Sequence, residues 1–594
     1  MQRKDLALRV LSTAAIMSIV TSIAAPAFAD IYYIGNGSID VVTKEDADGK
    51  KYVEVKQGDK TYTDTSDEIV IKDGTSEDNA TLTENTRIEG KRAEVAVPDK
   101  ERPATQEAAG SADAAGESQP DPDAAFTLNE TEEDSAQTQE SKDNTKEEDT
   151  PDPSTEPPKK DVVYEYAPAD PETEQQATKL APTTSAAPAA KTKEATQANA
   201  PAAAPTTPTA PAADPPAEGS ADNPTTNVIN VVNNWVGKAA KELKIRLSNV
   251  NIKVEKKVNK AAMDVSGDGT TKVELDGQNV LDSSGTDYPA SYQAGLRKQG
   301  EGTLTITDET NDEGKEITTL KSESDTSGSL TAKGAGGKGA AGIGGNNGES
   351  TKNITIEGYA TVDATGGGYG AGIGGGGYYG EEKPGDAENI IIQGYATVDA
   401  ESGGGGAGIG GGFAGNAKNI IIRGHSKVKA TARDGAAIGG GSAGWGSYYG
   451  GSAKGIVICD HATVAARSDT GDGAAIGAAG DNGKDTEAEV TIGTAGATAE
   501  QEDVHVTATG FCGSAIGNGA KDTKVTIQGH STIRTANIRN STAIGSKDGN
   551  VEVNIKDNVT IDTDNVSANA EPDNAGSSIG GGDIRGDSNR KVVV

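Results

Sequence analysis

Eight times in its C-terminal half the chain sets a small residue ahead of Ile-Gly. The isoleucines are Ile343, Ile373, Ile409, Ile438, Ile476, Ile516, Ile544 and Ile579, spaced 28 to 40 residues apart. Between them recurs an apolar-x-apolar pair: Ile354/Ile356, Ile390/Ile392, Ile420/Ile422, Ile456/Ile458, Val490/Ile492, Val525/Ile527 and Val553/Ile555. Six positions after most pairs stands a further apolar residue: Val362, Val398, Val428, Val464, Ile533 and Ile561. No single patch is long enough to build a sheet within its own repeat. Pairing each patch in parallel with its equivalent in the next repeat, about 4.7–4.9 Å away, does build one. The pattern therefore predicts an all-β fold: a single parallel β-helix (β-solenoid) with three short strands per coil and about 8–11 coils. Its aliphatic side chains line one continuous interior, each worth about 1.5–3 kcal/mol when buried. Variable repeat length falls mostly in the loop after Ile-Gly, where closure entropy rises slowly with length.

Composition narrows the function. With 55 basic and 90 acidic residues the net charge is −35, which repels nucleic acid and anionic lipid and excludes a basic nucleic-acid reader. Two cysteines, Cys459 and Cys512, make no disulfide framework and are read as incidental. Residues 1–29 read as a secretory signal peptide: Arg3, Lys4 and Arg9, then an uncharged run from Val10 to Ala25, then Ala27-Phe28-Ala29. No later segment is apolar enough to span a bilayer. The expected location is secreted, at a bacterial cell surface, with no integral membrane segment after signal removal.

Three regions follow. Residues 30–97 alternate like strands, as in Tyr52-Val-Glu-Val-Lys56 and Glu68-Ile-Val-Ile-Lys72. Residues 98–226 hold 19 of the 23 prolines and only 3 of the 78 glycines, with 27 acidic against 9 basic residues. That composition reads as a disordered acidic linker or insertion. Residues 227–594 carry the repeats, and a short helix is expected at Asn234 to Lys244.

Ala341-Gly-Ile-Gly-Gly345, Gly370-Ala-Gly-Ile-Gly-Gly-Gly-Gly377 and Gly406-Ala-Gly-Ile-Gly-Gly-Gly412 resemble the glycine-rich GAGIGGG repeats of exported bacterial surface proteins. Leu247-Ser-Asn-Val-Asn-Ile252 with Leu304-Thr-Ile306 is similar to the segment that leads into such repeats, and Tyr62-Thr-Asp64 with Ile69-Val-Ile71 resembles the opening coil. The resemblance, to the carbohydrate-binding and pectate-lyase-like β-helix superfamily, implies that residues 98–226 interrupt one solenoid.

Stacking turns each repeat position into a ladder. Tyr359, Tyr395, His425, His461 and His530 share one position, with Asn558 after them. The structural reading is ring stacking at a turn. The functional alternatives are a strip for sugar rings and a weak metal file. Asn353, Asn389 and Asn419 form an amide ladder. Asp363 and Asp399 share a register that continues with Lys429; Ca²⁺ could relieve their repulsion, but so could solvent, and no cofactor is expected. The loops after Ile-Gly carry Tyr378, Tyr379, Phe413, Trp445, Tyr448 and Tyr449, the candidate ligand-binding residues, because flat aromatics on a rigid frame suit glycan and protein surfaces.

The expected function is a non-catalytic secreted surface protein that adheres or binds carbohydrate, its partner a glycan or a host or envelope surface. One alternative is a structural envelope or matrix protein that self-associates through the C-terminal solenoid edge, where Val592-Val593-Val594 aligns with another coil. A second is a polysaccharide-lyase-like enzyme, for which Asp363 and Asp399 with Lys429 or Arg423 are the visible candidates.

Overall fold

In the computed structural model, residues 31–66, 68–75 and 224–593 are described, apart from short stretches at 238–240, 285–291, 310–327, 337–338, 378–382, 443–449, 481–484, 538–541, 547–548, 566–578 and 582–589. The strands fall into three sheets of 13, 10 and 14 strands, here sheets I, II and III. The chain winds through I, II and III in turn, and ten successive coils contribute a strand to each. This is a three-sided parallel β-solenoid.

The registers explain why these residues form it. On sheet I, Ile354, Ile390, Ile420 and Ile456 stand directly above one another, as do Ile356, Ile392, Ile422 and Ile458. Sheet II stacks Val362, Val398, Val428 and Val464. Sheet III, reduced to two-residue strands, stacks the Ile-Gly isoleucines from Ile343 to Ile579. All of these columns belong to one apolar interior. Period-two alternation places one neighbour inside and the next outside, so a register slip of one residue would expose a whole column.

The corners need unusual backbone. The glycine of each Ile-Gly step has a φ between +109° and +141°, a region closed to side chains. At another corner Asn353, Asn389 and Asn419 adopt φ of 58°, 55° and 54°, which asparagine tolerates better than other side chains. Their amides bond along the axis as expected: Asn389 Nδ2 donates to Asn353 Oδ1 at 2.9 Å and Asn419 Nδ2 to Asn389 Oδ1 at 3.0 Å.

The N-terminal segment joins the same solenoid. Glu68–Lys72 pairs in parallel with Leu243–Ser248 on sheet I, and Ile39–Glu45 pairs with Ile229–Val232 on sheet III. Lys51–Gln57 and Lys60–Asp64 extend sheet III as an antiparallel meander at that end. The expected insertion lies outside the described residues up to 223.

One expectation is corrected. The described residues of the span Asn234 to Lys244 form no helix. The Trp235 backbone N–H donates to Asn233 Oδ1 at 3.1 Å, its indole Nε1 donates to the Lys44 carbonyl at 3.1 Å, and Leu243–Ser248 is a strand. Local side-chain bonds of this kind compete with helical ones. On sheet II Val506 stands between Val464 and Ile533, in the one repeat without an apolar residue at the six-position offset. The offset is lost there because the corner after Gly493 is enlarged and closes only at Glu502, whose buried carboxylate accepts the Thr494 backbone N–H at 2.8 Å.

Candidate functional site

The corner between sheets I and II repeats one short pattern. After the second inward aliphatic comes an outward polar residue (Glu357, Gln393, Arg423), then a left-handed residue (Gly358, Gly394, Gly424; φ 65°, 70° and 70°), then a ring (Tyr359, Tyr395, His425). The glycines carry no side chain, so they leave a groove open beside the polar column. The groove has a volume of about 340 Å³ and is lined by Glu309, Glu357, Gly358, Gln393, Gly394, Arg423, Gly424 and Asp460.

The polar column is linked across coils. Gln393 Nε2 donates to Glu357 Oε2 at 2.6 Å, while Arg423 Nε and Nη2 donate to Gln393 Oε1 at 2.9 and 2.6 Å. Glu309, at the mouth, accepts from Lys272 Nζ at 2.5 Å. The next outward position holds Cys459, a free thiol pushed up to about 12, first by burial and then by the neighbouring Asp460 charge. It is therefore inert as a nucleophile at neutral pH. Cys512 forms no disulfide either.

The rings that follow the glycines form the expected ladder. Tyr359 and Tyr395 stack at 5.1 Å between centroids, Tyr395 and His425 at 4.9 Å, and His425 and His461 at 4.6 Å. The first two pairs are within 13° of parallel. Such stacking spends the ring faces on each other. Tyr395 is 46% exposed. The His425 and His461 rings are tilted 30° to each other.

Beyond His461 the stack ends. The register places Asp503 there, followed by His530 and Asn558. Asp503 Oδ2 lies 3.1 Å from His505 Nε2, and its Oδ1 lies 3.5 Å from His530 Nδ1. Asp503 escaped the sequence reading because the enlarged corner shifts the count. Among the described residues, no group of three or more His, Cys, Asp or Glu is placed to hold a metal ion.

Asp399 pairs with Lys429 at 2.7 Å on the outside of sheet II, and that bond raises the Lys429 ammonium above its ordinary value. Asp363 lies one strand from Asp399. Arg423 is committed to Gln393 at the corner. Asp363, Asp399 and Lys429 thus stand at one register on three successive strands of sheet II. Of the loop aromatics, Phe413 is 3% exposed and meets Tyr369 edge-on at 5.0 Å. It is a packing residue and not an exposed platform, because glycine-rich loops leave a large ring little to cover except one another. Tyr378, Tyr379, Trp445, Tyr448 and Tyr449 lie outside the described residues.

Comparison with protein-family models, with curated proteins and with solved structures finds no match for this chain. Among the described residues no helix is long and apolar enough to cross a membrane.

Proposed function

We propose that this is an exported, non-catalytic surface solenoid that binds glycans along the corner groove between sheets I and II. The observation that supports this reading is the groove's repetition. A planar polar group and an open glycine floor recur in three successive coils. Hydrogen-bonding side chains at strand spacing suit a chain of hydroxyl-rich sugar residues lying along the axis. The rigid frame removes much of the ordering cost that a flexible site would bear.

The test is a glycan array probed with the full chain and with a Gln393→Ala, Tyr395→Ala double variant. Retained circular dichroism with lost binding supports the groove. Binding to no glycan sinks the reading.

A second reading is a purely structural protein that assembles with copies of itself. It draws support from the ring faces being spent within the ladder. It predicts concentration-dependent sedimentation and an empty array.

A further inference from the structure

A second cavity, of about 320 Å³, opens at the corner between sheets III and I. It spans three successive coils. The first supplies Lys298, the last residue of the sheet III strand Leu296–Lys298. The second supplies Ser350 and Thr351, and the third supplies Asp386. Thr351 Oγ1 donates to the Lys298 carbonyl at 3.3 Å, and the Asp386 N–H donates to Ser350 Oγ at 3.0 Å, so the three coils are tied together at this corner.

Lys298 is 2% exposed and shares its register with Val265 of the coil before. Packing alone would be served by an aliphatic residue there, as Val265 shows. A buried ammonium is costly unless a charge answers it. Lys298 Nζ donates to the Gln299 and Gly300 carbonyls at 2.8 and 3.1 Å, which leaves one of its three N–H donors without a partner among the described residues. Among those residues no carboxylate lies within ion-pair distance of it. Two of the carboxylates lining the cavity are already paired, Glu301 with Lys352 at 2.5 Å and Glu388 with Lys418 at 2.8 Å. Asp386 differs. Its Oδ1 accepts the Asn416 backbone N–H at 2.7 Å and Nδ2 at 3.1 Å, and among the described residues no cation pairs with it. One cavity therefore holds an uncompensated cation and an uncompensated anion. A ligand of single charge would satisfy one and be repelled by the other, whereas a zwitterion answers both.

We propose that this cavity binds a free α-amino acid, with the carboxylate on Lys298 and the ammonium on Asp386. Lys298 and Asp386 stand two coils apart, about 9–10 Å between backbones. Two charge-assisted bonds of about 2.8 Å take up more than half of that span. What remains suits ligand charges a few ångström apart, as on one α-carbon, and is too short for a peptide with a charge at each end. The volume lies at the small end of ligand cavities. Gln299, Ser350 and Thr351 complete a lining without aliphatic side chains, which favours a small polar amino acid such as serine. The site lies at a different corner from the groove and does not depend on the glycan reading.

Saturation-transfer NMR and titration on the full chain test this with three probes: L-serine, L-serinamide, which lacks the carboxylate, and N-acetyl-L-serine, which lacks the ammonium. Serine is expected to bind about tenfold tighter than either, as the loss of one charge-assisted bond implies. Asp386→Asn keeps an oxygen for the Asn416 bonds and should erase the preference over N-acetyl-L-serine. Lys298→Met should erase the preference over L-serinamide. Circular dichroism checks that each variant folds, and the half-buried Asp386 carries the test alone if Lys298→Met does not. Failure of serine to bind overturns the proposal. So does either blocked probe binding the parent as tightly as serine, since that marks a site for one charge only. A preference over N-acetyl-L-serine that survives Asp386→Asn overturns it as well.

Discussion

Glycine in this chain is abundant, and the solenoid makes only some of it indispensable. Gly410 and Gly403 lie seven residues apart in one coil and differ sharply. Gly410 has φ of +141°, and a Cβ added to it would lie 2.0 Å from the Gly439 carbonyl oxygen. That oxygen accepts the Gly411 N–H at 3.0 Å, so the backbone must move and loosen a buried bond. Strained backbone of this type costs about 1–3 kcal/mol, and an unsatisfied buried donor about 1–3 kcal/mol more. Gly403 is exposed, and the nearest atom to its added Cβ is the Gly366 carbonyl oxygen at 3.9 Å. Gly410→Ala should therefore cost about 3 kcal/mol, and Gly403→Ala should stay within about 0.5 kcal/mol of the parent. Urea unfolding followed by circular dichroism measures both. Native-state hydrogen exchange should place the Gly410→Ala damage in the adjoining coils, because repeats contact mainly their neighbours. Equal midpoints for the two variants would refute the claim that the Ile-Gly step is held by backbone crowding.

Two further outcomes follow from the same geometry. Asn389→Gly keeps the left-handed corner and loses two amide bonds, at a cost of about 1 kcal/mol; Asn389→Ala adds about 1–2 kcal/mol of backbone strain, so a midpoint for Ala at or above that for Gly would contradict the corner argument. Lys298 is 2% exposed, and burial lowers its ammonium from 10.5 to about 8, although its Nζ donates to the Gln299 and Gly300 carbonyls at 2.8 and 3.1 Å. Because the folded value lies below the unfolded one, the charged form penalises folding below about pH 8, and the penalty fades as pH rises toward 10.5. Relative to Lys298→Met, the parent should gain about 3 kcal/mol of stability between pH 7 and pH 11. A flat difference in urea midpoints across that range would show that Lys298 titrates normally.

Much of this architecture could be read from residue order alone. Alternation in runs such as Ile354-Thr-Ile356 states which side chains turn inward, and burial is the strongest force acting on them. Recurrence of the same runs demands stacking, since no coil can cover its own aliphatics. Gly and Asn at fixed offsets mark corners, and Tyr359, Tyr395, His425 and His461 do stack at one of them. Other features were not legible. Asp503 joined the ladder, and Val506 the core, only once the folded register had absorbed the enlarged corner that closes at Glu502. Phe413 turned inward because Tyr369 was there to receive it. The groove depends on which residue of one coil lies over which residue of the next. Pattern within a strand follows from local geometry and hydrophobicity, whereas contact between coils depends on register, and register is set by how every loop closes.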